Sequence, residues 1–355
     1  MSKEKGLRIG CAAALLVGMA LVSGTAHARV STERPGSILI FPKVTNVPPA
    51  QDTVIQITNT SNVTRHARCF YVNGATLNGV PLWQITDFEI WLTKQQPTHW
   101  LASQGRPVNP ADSIAGLDPG AIPPIPPGFT GGLVCAQVDD SGVPEGGNSL
   151  KGEATLGAVS GVIGVSKYNA VAIPTGTAGP DTDALTANQL LLDDVEYSGC
   201  PAGAHLNFTA EGESDDVIDG LGNGPSAVST NLTFIPCSMD FERLIASRVT
   251  LSIIAVDEME GQLSTSTSVD CWRQLTLDEI GSGILEAVNY ETRHGYVRFT
   301  STADPGVTPD GVLGVANVLR SDANGNTATA ATNLHFLGNT NSTNLDAGVI
   351  TLSGE

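Results

Sequence analysis

Three groups of side chains in this 355-residue sequence have the types and spacing to do chemistry. The first is a set of paired carboxylates: Asp139-Asp140, Asp193-Asp194 with Glu196, Glu211 with Glu213, Asp215-Asp216, and Asp304 with Asp310. Two carboxylates facing each other across a cleft can hydrolyse a glycosidic bond, so a secreted hydrolase with a carboxylate site is one reading. Acidic loops in an acidic chain supply such pairs without any catalytic purpose. The second group is Asp322-Ala323-Asn324-Gly325-Asn326, where Asp322, Asn324 and Asn326 place oxygen ligands at i, i+2 and i+4. Loops that hold hard cations use this spacing, and calcium is the one cofactor the sequence suggests. Thr327 and Leu334 stand where such a loop wants a glycine and a bidentate acid, so the segment also reads as a solvated hairpin turn.

The third group is aromatic. Trp83, Trp91 and Trp100 are three of the four tryptophans and fall close together. Phe88, Ile90 and Leu92 alternate with Glu89, Trp91 and Thr93, so a strand here puts Trp91 on the face opposite the apolar set. An outward tryptophan can stack on a sugar ring or anchor a partner protein, which makes these three the candidate ligand-binding residues. The competing reading tucks Trp91 under the segment 101–130 as secondary core. That segment contains Pro119-Gly120-Ala121-Ile122-Pro123-Pro124-Ile125-Pro126-Pro127, an extended loop of polyproline character. No nucleophile elbow, zinc-protease helix, phosphate-binding glycine loop or dinucleotide fingerprint occurs. His66, His99, His205, His294 and His335 are not spaced as metal ligands.

The elements that must position these groups read as strands. Charged residues are only 15% of the chain and aromatics 5%, against 39 Gly and 21 Pro. That composition excludes helical bundles and coiled coils. Short period-2 runs rich in Val, Ile, Thr and Phe, punctuated by Asn, Gly, Asp and Pro, predict an all-β chain, with helix expected only near 184–192 and 275–287. One-sided strands bury their apolar face against a second sheet, so β-sandwiches are expected.

Residues 1–28 join a basic start (Lys3, Lys5, Arg8), an apolar run from Ile9 to Val22 and a small-x-small stop at Ala26-His27-Ala28. This is the pattern of a cleaved signal peptide. An apolar run of about 14 residues is short of the roughly 20 that a membrane span needs, so no membrane insertion of the mature chain is expected. Bacterial-type export to the cell surface or medium is. Removing 1–28 leaves 15 Lys/Arg against 35 Asp/Glu, a net charge of −20, with Lys43, Lys94, Lys151 and Lys167 the only lysines. Such a surface repels nucleic acid and anionic membranes. The same residues leave Cys69, Cys135, Cys200, Cys237 and Cys271, enough for two disulfides and one thiol in an oxidising compartment. The expected bonds are Cys69–Cys135 and Cys237–Cys271, with Cys200 free.

One order of signals occurs twice. Leu39-Ile40-Phe41-Pro42 is echoed by Leu232 to Pro236, and the run Thr53–Ile57 by Val249–Ile254; Cys69-Phe70 is echoed by Cys271-Trp272 and Gly132-Leu133-Val134-Cys135 by Gly295-Tyr296-Val297-Arg298. Gly152 and Ala154 are matched by Gly314 and Ala316, and Tyr168-Asn169 by Thr332-Asn333. Ile55-Gln56-Ile57-Thr58-Asn59-Thr60-Ser61-Asn62 resembles the early strand and turn of immunoglobulin-like domains of bacterial surface proteins, a likeness at the level of fold. The expected organisation is therefore two tandem immunoglobulin-like β-sandwich domains at 29–175 and 229–355, related by internal duplication. The first carries an insertion at 83–130, and an acidic Gly-rich linker at 176–228, with short strands near 190–192 and 205–209, joins them. The function this implies is a non-enzymatic extracellular or cell-surface structural or adhesion protein with a protein or polysaccharide partner. The alternatives are a carbohydrate- or calcium-binding module and the hydrolase above.

Overall fold

The computed structural model describes residues 29–157, 164–176, 179–180, 188–209, 212–214, 226–245, 247–280, 294–302, 310–322, 327–338 and 348–353. The leader pattern at 1–28 lies outside them. The chain is all-β, and its helical elements among these residues are Pro110–Ile114 and Leu277–Ile280. Gln189–Leu192 is a strand paired with Gly348–Thr351, in agreement with the short strand expected near 190–192 and not with the helix expected near 184–192.

The first unit is built from β1 (Ile38–Val47), β2 (Gln51–Asn59), β3 (Arg65–Asn73), β4 (Ile85–Leu92), β5 (Pro97–Leu101), β6 (Phe129–Val138), β7 (Leu150–Gly157), β8 (Val165–Asn169) and β9 (Val171–Ile173). One layer runs β1-β6-β3-β4 with β9 on the outer side of β1, the other β8-β7-β2-β5, and the base of the β1–β2 hairpin joins them. β2 alternates as a one-sided strand should, with Ile55 and Ile57 buried and Gln56 and Thr58 half-exposed. β1 does not alternate: Ile38 to Asn46 is buried throughout. Its inward residues Leu39, Phe41 and Val44 join Tyr71, Ile90 and Trp100 in the first core. Its outward residues Ile38 and Ile40 join Phe70, Val72 and Val134 in a second core shared with the rest of the chain.

The second unit holds β10 (Gly203–Thr209), β11 (Ser226–Pro236), β12 (Arg248–Asp257), β13 (Gln262–Asp270), β14 (Arg273–Thr276), β15 (His294–Thr302), β16 (Val312–Asp322), β17 (Thr327–Asn333) and β18 (His335–Leu337). Its layers run β10-β15-β12-β13, with β18 on β10, and β17-β16-β11-β14. Phe208, Phe234, Leu251, Ile253, Val297 and Phe299 lie in the core between them. Every pairing of the first unit, apart from the short β1–β2 contact, recurs here nine strands later.

The repeat of strand order overturns part of the expected residue matching. Phe41 lies on β1, whereas Phe234 lies on β11, the counterpart of β2. Cys69 lies on β3, but Cys271 falls between β13 and β14. The physical reason is β10: it sits inside the Gly-, Asp- and Ser-rich stretch whose composition reads as linker, so the early landmarks slip by one strand or more. The matches of Gly132 with Gly295, Gly152 with Gly314 and Asn169 with Asn333 do fall on counterpart strands. The immunoglobulin order puts the first strand in one sheet and the third, sixth and seventh in the other, whereas here the first, third and sixth share a layer. The first strand pairs with the sixth.

Cys69 and Cys135 stand directly opposite in register on β3 and β6 and are bonded, with Cα atoms 4.0 Å apart. Cys237 is bonded to Cys200, not to Cys271. The Cys237–Cys271 expectation fails because Cys237 follows β11, where a Cβ on Gly311 would collide with Cys200 Sγ. That glycine is what lets Cys200 approach. Cys271 is a buried thiol, its pKa pushed up to about 12 by burial and by the neighbouring Asp270 carboxylate. Because the thiolate is the reactive form, Cys271 is expected to resist alkylation in native protein near neutral pH and to react once the chain is unfolded. Non-reducing peptide mapping should then recover Cys200 joined to Cys237. Fast labelling of native Cys271 would contradict its position in the core.

Candidate functional site

The tryptophans separate once the strands are in place. Trp100, on β5, is 2% exposed and donates its indole N–H to Tyr71 Oη at 2.6 Å inside the first core. Trp83 is buried in the second core, parallel to Phe241 with centroids 6.3 Å apart. Neither can meet a ligand, which corrects their assignment as binding residues: both plug gaps between layers, and sequence spacing alone does not tell a plug from a platform. The segment 83–130 is likewise integral rather than added, since β4 pairs with β3, and Ile122 and Ile125 enter the first core. The proline-rich loop is tied down by two hydrogen bonds between the backbones of Arg106 and Ile122. The Asp118 carboxylate adds to this by accepting from Gly120 N–H and Arg106 Nη1.

Trp91 is different. It lies on β4 with Phe88, Ile90 and Leu92 turned inward, and it remains 40% exposed. One ring face stacks on His66 at 4.1 Å between centroids and 11° between planes. The imidazole is itself fixed, because Nδ1 lies 2.8 Å from the carbonyl oxygen of Asp139. A carbonyl can only accept, so Nδ1 carries the proton. Nε2 stands 3.4 Å from Glu89 Oε2. The Trp91 backbone N–H donates to Pro119 O at 2.9 Å. The backbone is thus held by strand and loop and the indole by the stack, with part of its surface left to solvent.

A second arrangement was not legible as a site. The β1–β6 register slips between Phe41 and Val44, so Pro42 and Lys43 form a bulge opposite Gly132. Proline cannot donate to a sheet ladder, and bulges re-aim side chains. Tyr168 Oη clamps the bulge: it accepts from Lys43 N–H at 3.1 Å and donates to Lys43 O. From the second unit, Trp272 donates its indole N–H to Pro42 O at 2.8 Å. With its backbone satisfied, Lys43 lines a cavity of about 390 Å³ between the two units, together with Gln51, Asn231, Gln274, Asn317 and Thr329. The residue is 4% exposed, and burial pushes its ammonium down from 10.5 to about 8. Among the described residues it has no ion-pair partner. The available signals were a proline and a lysine inside an otherwise apolar run, and the scarcity of lysine.

Asp322 closes β16, whereas Asn324 and Asn326 lie outside the described residues; Ser321 and Thr327 pair across the hairpin they belong to. Among the described residues no group of three His, Cys, Asp or Glu is placed to hold a metal ion. Several of the carboxylates build turns instead. Asp139 Oδ1 accepts from Ser141 and Val143 N–H, Asp193 Oδ1 from Val195 and Glu196 N–H, and Asp194 Oδ1 from Gly199 N–H. Asp304, Glu211, Asp215 and Asp216 lie outside the described residues.

No protein-family model and no curated protein matches the chain. Among solved structures it is similar to Thermotoga maritima 1070, at 12% identity and TM-score 0.27, over 40% of this chain and 98% of that one. Red sea bream transglutaminase is matched at 8% identity and TM-score 0.15, over 88% of this chain and 32% of that one. The CupB6 tip adhesin of Pseudomonas aeruginosa is matched at 10% identity and TM-score 0.14, over 88% and 94%. No TM-score among these reaches a value at which two folds coincide.

Two stability measurements follow from the geometry. In denaturant titrations Trp100→Ala is expected to cost roughly 3–5 kcal/mol, and Trp91→Ala only about 1–2 kcal/mol for a partly exposed stacked ring; equal losses would place Trp91 in the core. Lys43→Met, which removes a buried charge but keeps the stem, is expected to stabilise the protein below about pH 8 by at most about 3 kcal/mol. Between about 8 and 10.5 the folded wild type sheds its proton before the unfolded chain does, so its stability recovers with rising pH. The advantage of methionine should therefore shrink across that window, and a constant advantage would show that charge burial is not the cause.

Proposed function

We propose that this is an exported, non-enzymatic structural or adhesion protein of the cell surface or extracellular matrix, and that it holds a polysaccharide through Trp91. The observation that carries the reading is the outward indole on β4, stacked on the hydrogen-bonded His66 ring while the Pro119 carbonyl anchors the Trp91 backbone. A ring that loses little freedom on binding presents apolar area at low entropic cost, and the C–H face of a sugar is the complement it fits. The leader pattern at 1–28 and the two disulfides agree with an oxidising extracellular compartment. Among the described residues no helix is long and apolar enough to cross a membrane. The repeated strand order further supports an origin by internal duplication, with β10 rather than β11 opening the second copy.

The test is a pull-down of mature protein on insoluble cell-surface polysaccharides, comparing wild type with Trp91→Ala and Trp91→Phe. Alanine is expected to lose retention and phenylalanine to keep part of it, while both variants stay folded. Unchanged retention by Trp91→Ala would remove Trp91 from the interface, and retention on surface protein alone would replace the polysaccharide with a protein partner.

A further inference from the structure

The cavity between the two units shares no residue with the Trp91 surface and has a chemistry of its own. Its volume, about 390 Å³, falls in the range of small-molecule sites and is an order of magnitude above the roughly 30 Å³ that one water takes up. Among the described residues its single charge is the Lys43 ammonium, and none of those lining it is a carboxylate. In a chain with 36 Asp and Glu against 18 Lys and Arg, a cationic recess free of acids stands apart from the rest of the surface. The same cavity is lined by the amides of Gln51, Asn231, Gln274 and Asn317 and the hydroxyl of Thr329. Gln51 Oε1 accepts from Thr45, Gln274 donates to Asn231 Oδ1 and Asn317 donates to Ser166, while Thr329 Oγ1 has no hydrogen-bond partner among the described residues. Each amide offers donors and an acceptor on one plane, and a threonine hydroxyl does both. Such a lining complements a ligand whose own groups both donate and accept, which is the property of alcohols.

We propose that this cavity binds a small hydroxylated carboxylate, of which a uronic acid is the type, with Lys43 pairing its carboxylate and the amides and Thr329 its hydroxyls. A phosphate or sulfate ester is the poorer fit, since multiply charged oxyanions are held by bidentate arginines or by backbone N–H nests, and here one lysine meets neutral groups. The position is built rather than incidental: the bulge turns Lys43 out of the ladder, Tyr168 satisfies its backbone on both sides, and Trp272 fixes Pro42 from the other unit. Because Lys43, Thr45 and Gln51 come from the first unit and Asn231, Gln274 and Asn317 from the second, a bound ligand ties the two units together.

The experiment is calorimetric titration of the mature protein with D-glucuronate, its neutral isostere D-glucuronamide and inorganic sulfate, repeated on Lys43→Met and on the charge-matched control Lys94→Met at an exposed position. Glucuronate is expected to bind one to one and to raise the melting temperature. Glucuronamide, and glucuronate on Lys43→Met, should bind weaker by roughly thirtyfold or more, as for loss of one partner of a buried charge pair, while Lys94→Met behaves as wild type. Circular dichroism melts establish that Lys43→Met is folded, so its loss of binding reports on the site. Equal affinity for acid and amide, undiminished binding by Lys43→Met, or no binding of glucuronate would overturn the proposal. Sulfate binding as tightly as glucuronate would reduce the site to a general anion hole and overturn the role given to the amides.

Discussion

The β1-β6-β3 layer is buried on both faces, and the rest of the molecule is arranged around that fact. A sheet covered on one side can leave alternate residues in water, but a sheet covered on both must find an internal partner for every polar atom it carries. Its sequence accordingly reads as unbroken apolar runs, Ile38-Leu39-Ile40-Phe41 and Leu133-Val134-Cys135-Ala136. Several of the polar residues that remain have an internal partner, although Asn46 Oδ1, Arg65 Nε and His66 Nε2 find no hydrogen-bond partner among the described residues. Arg68 donates to Ser353 and Asp87, the His66 ring meets the Asp139 carbonyl, and Gln137 accepts from Ser149. The disulfide between Cys69 and Cys135 crosses this same layer between directly opposed residues. Trp91 and Lys43 both belong to strands of the layer, so each has its direction set by packing rather than by a loop.

Covering the outer face is the work of the second unit and the segments that lead into it. Phe70 stacks on Phe241 at 4.2 Å, and Ile235, Cys237, Trp272, Leu313 and Leu352 complete the cluster. Fully burying one such side chain contributes about 1.5–3 kcal/mol, so a first unit deprived of this cover would expose a continuous hydrophobic face that includes Ile38, Ile40, Phe70, Val72 and Val134. The cover is also specific. Gly74 has no Cβ where the Trp272 indole passes, and the Asn333 side chain accepts from Asn169 N–H and donates to Asn169 O like one more peptide group. The two residues sit on counterpart strands, β8 and β17, so the units meet through equivalent edges.

This arrangement explains which features the sequence discloses. Strand vocabulary and the opposed cysteines of β3 and β6 depend on neighbours close in register, and period-2 patterns carry that information. The repeat was visible where glycines mark tight packing, at Gly132 and Gly295 or Gly152 and Gly314. It slipped where the signal was apolar character alone, because Leu39 to Pro42 within β1 and Leu232 to Pro236 at the end of β11 are both buried stretches running into a proline although the two strands are not counterparts. β10 reads as a short strand at 205–209 but as part of the linker, because Gly203-Ala204-His205 sits in linker-like composition; pairing with β15 and β18 makes it a sheet strand of the second unit. Cys200 and Trp83 follow the same rule, since their partners Cys237 and Phe241 come from distant chain. Local alternation against Phe88, Ile90 and Leu92 turns Trp91 outward, but nothing local shows that Trp83 and Trp100 are buried; the order of layers does.

Lys43 was the hardest residue to read because the features that matter there cancel in one dimension. Proline followed by lysine inside an apolar strand looks like the end of the strand, yet the ladder continues past it at Val44, Thr45 and Asn46. What resolves the conflict is the bulge, which hands the missing hydrogen bonds to Tyr168 and Trp272 and frees the lysine side chain to leave the sheet. Local rules that fail at one position while every backbone group around it is satisfied mark a place where the fold has been shaped around a side chain. An apolar residue would fill the same recess without the cost of desolvating an ammonium. The charge is therefore an expense that packing alone does not explain, and the ligand proposed for the cavity would supply the partner the ammonium lacks among the described residues.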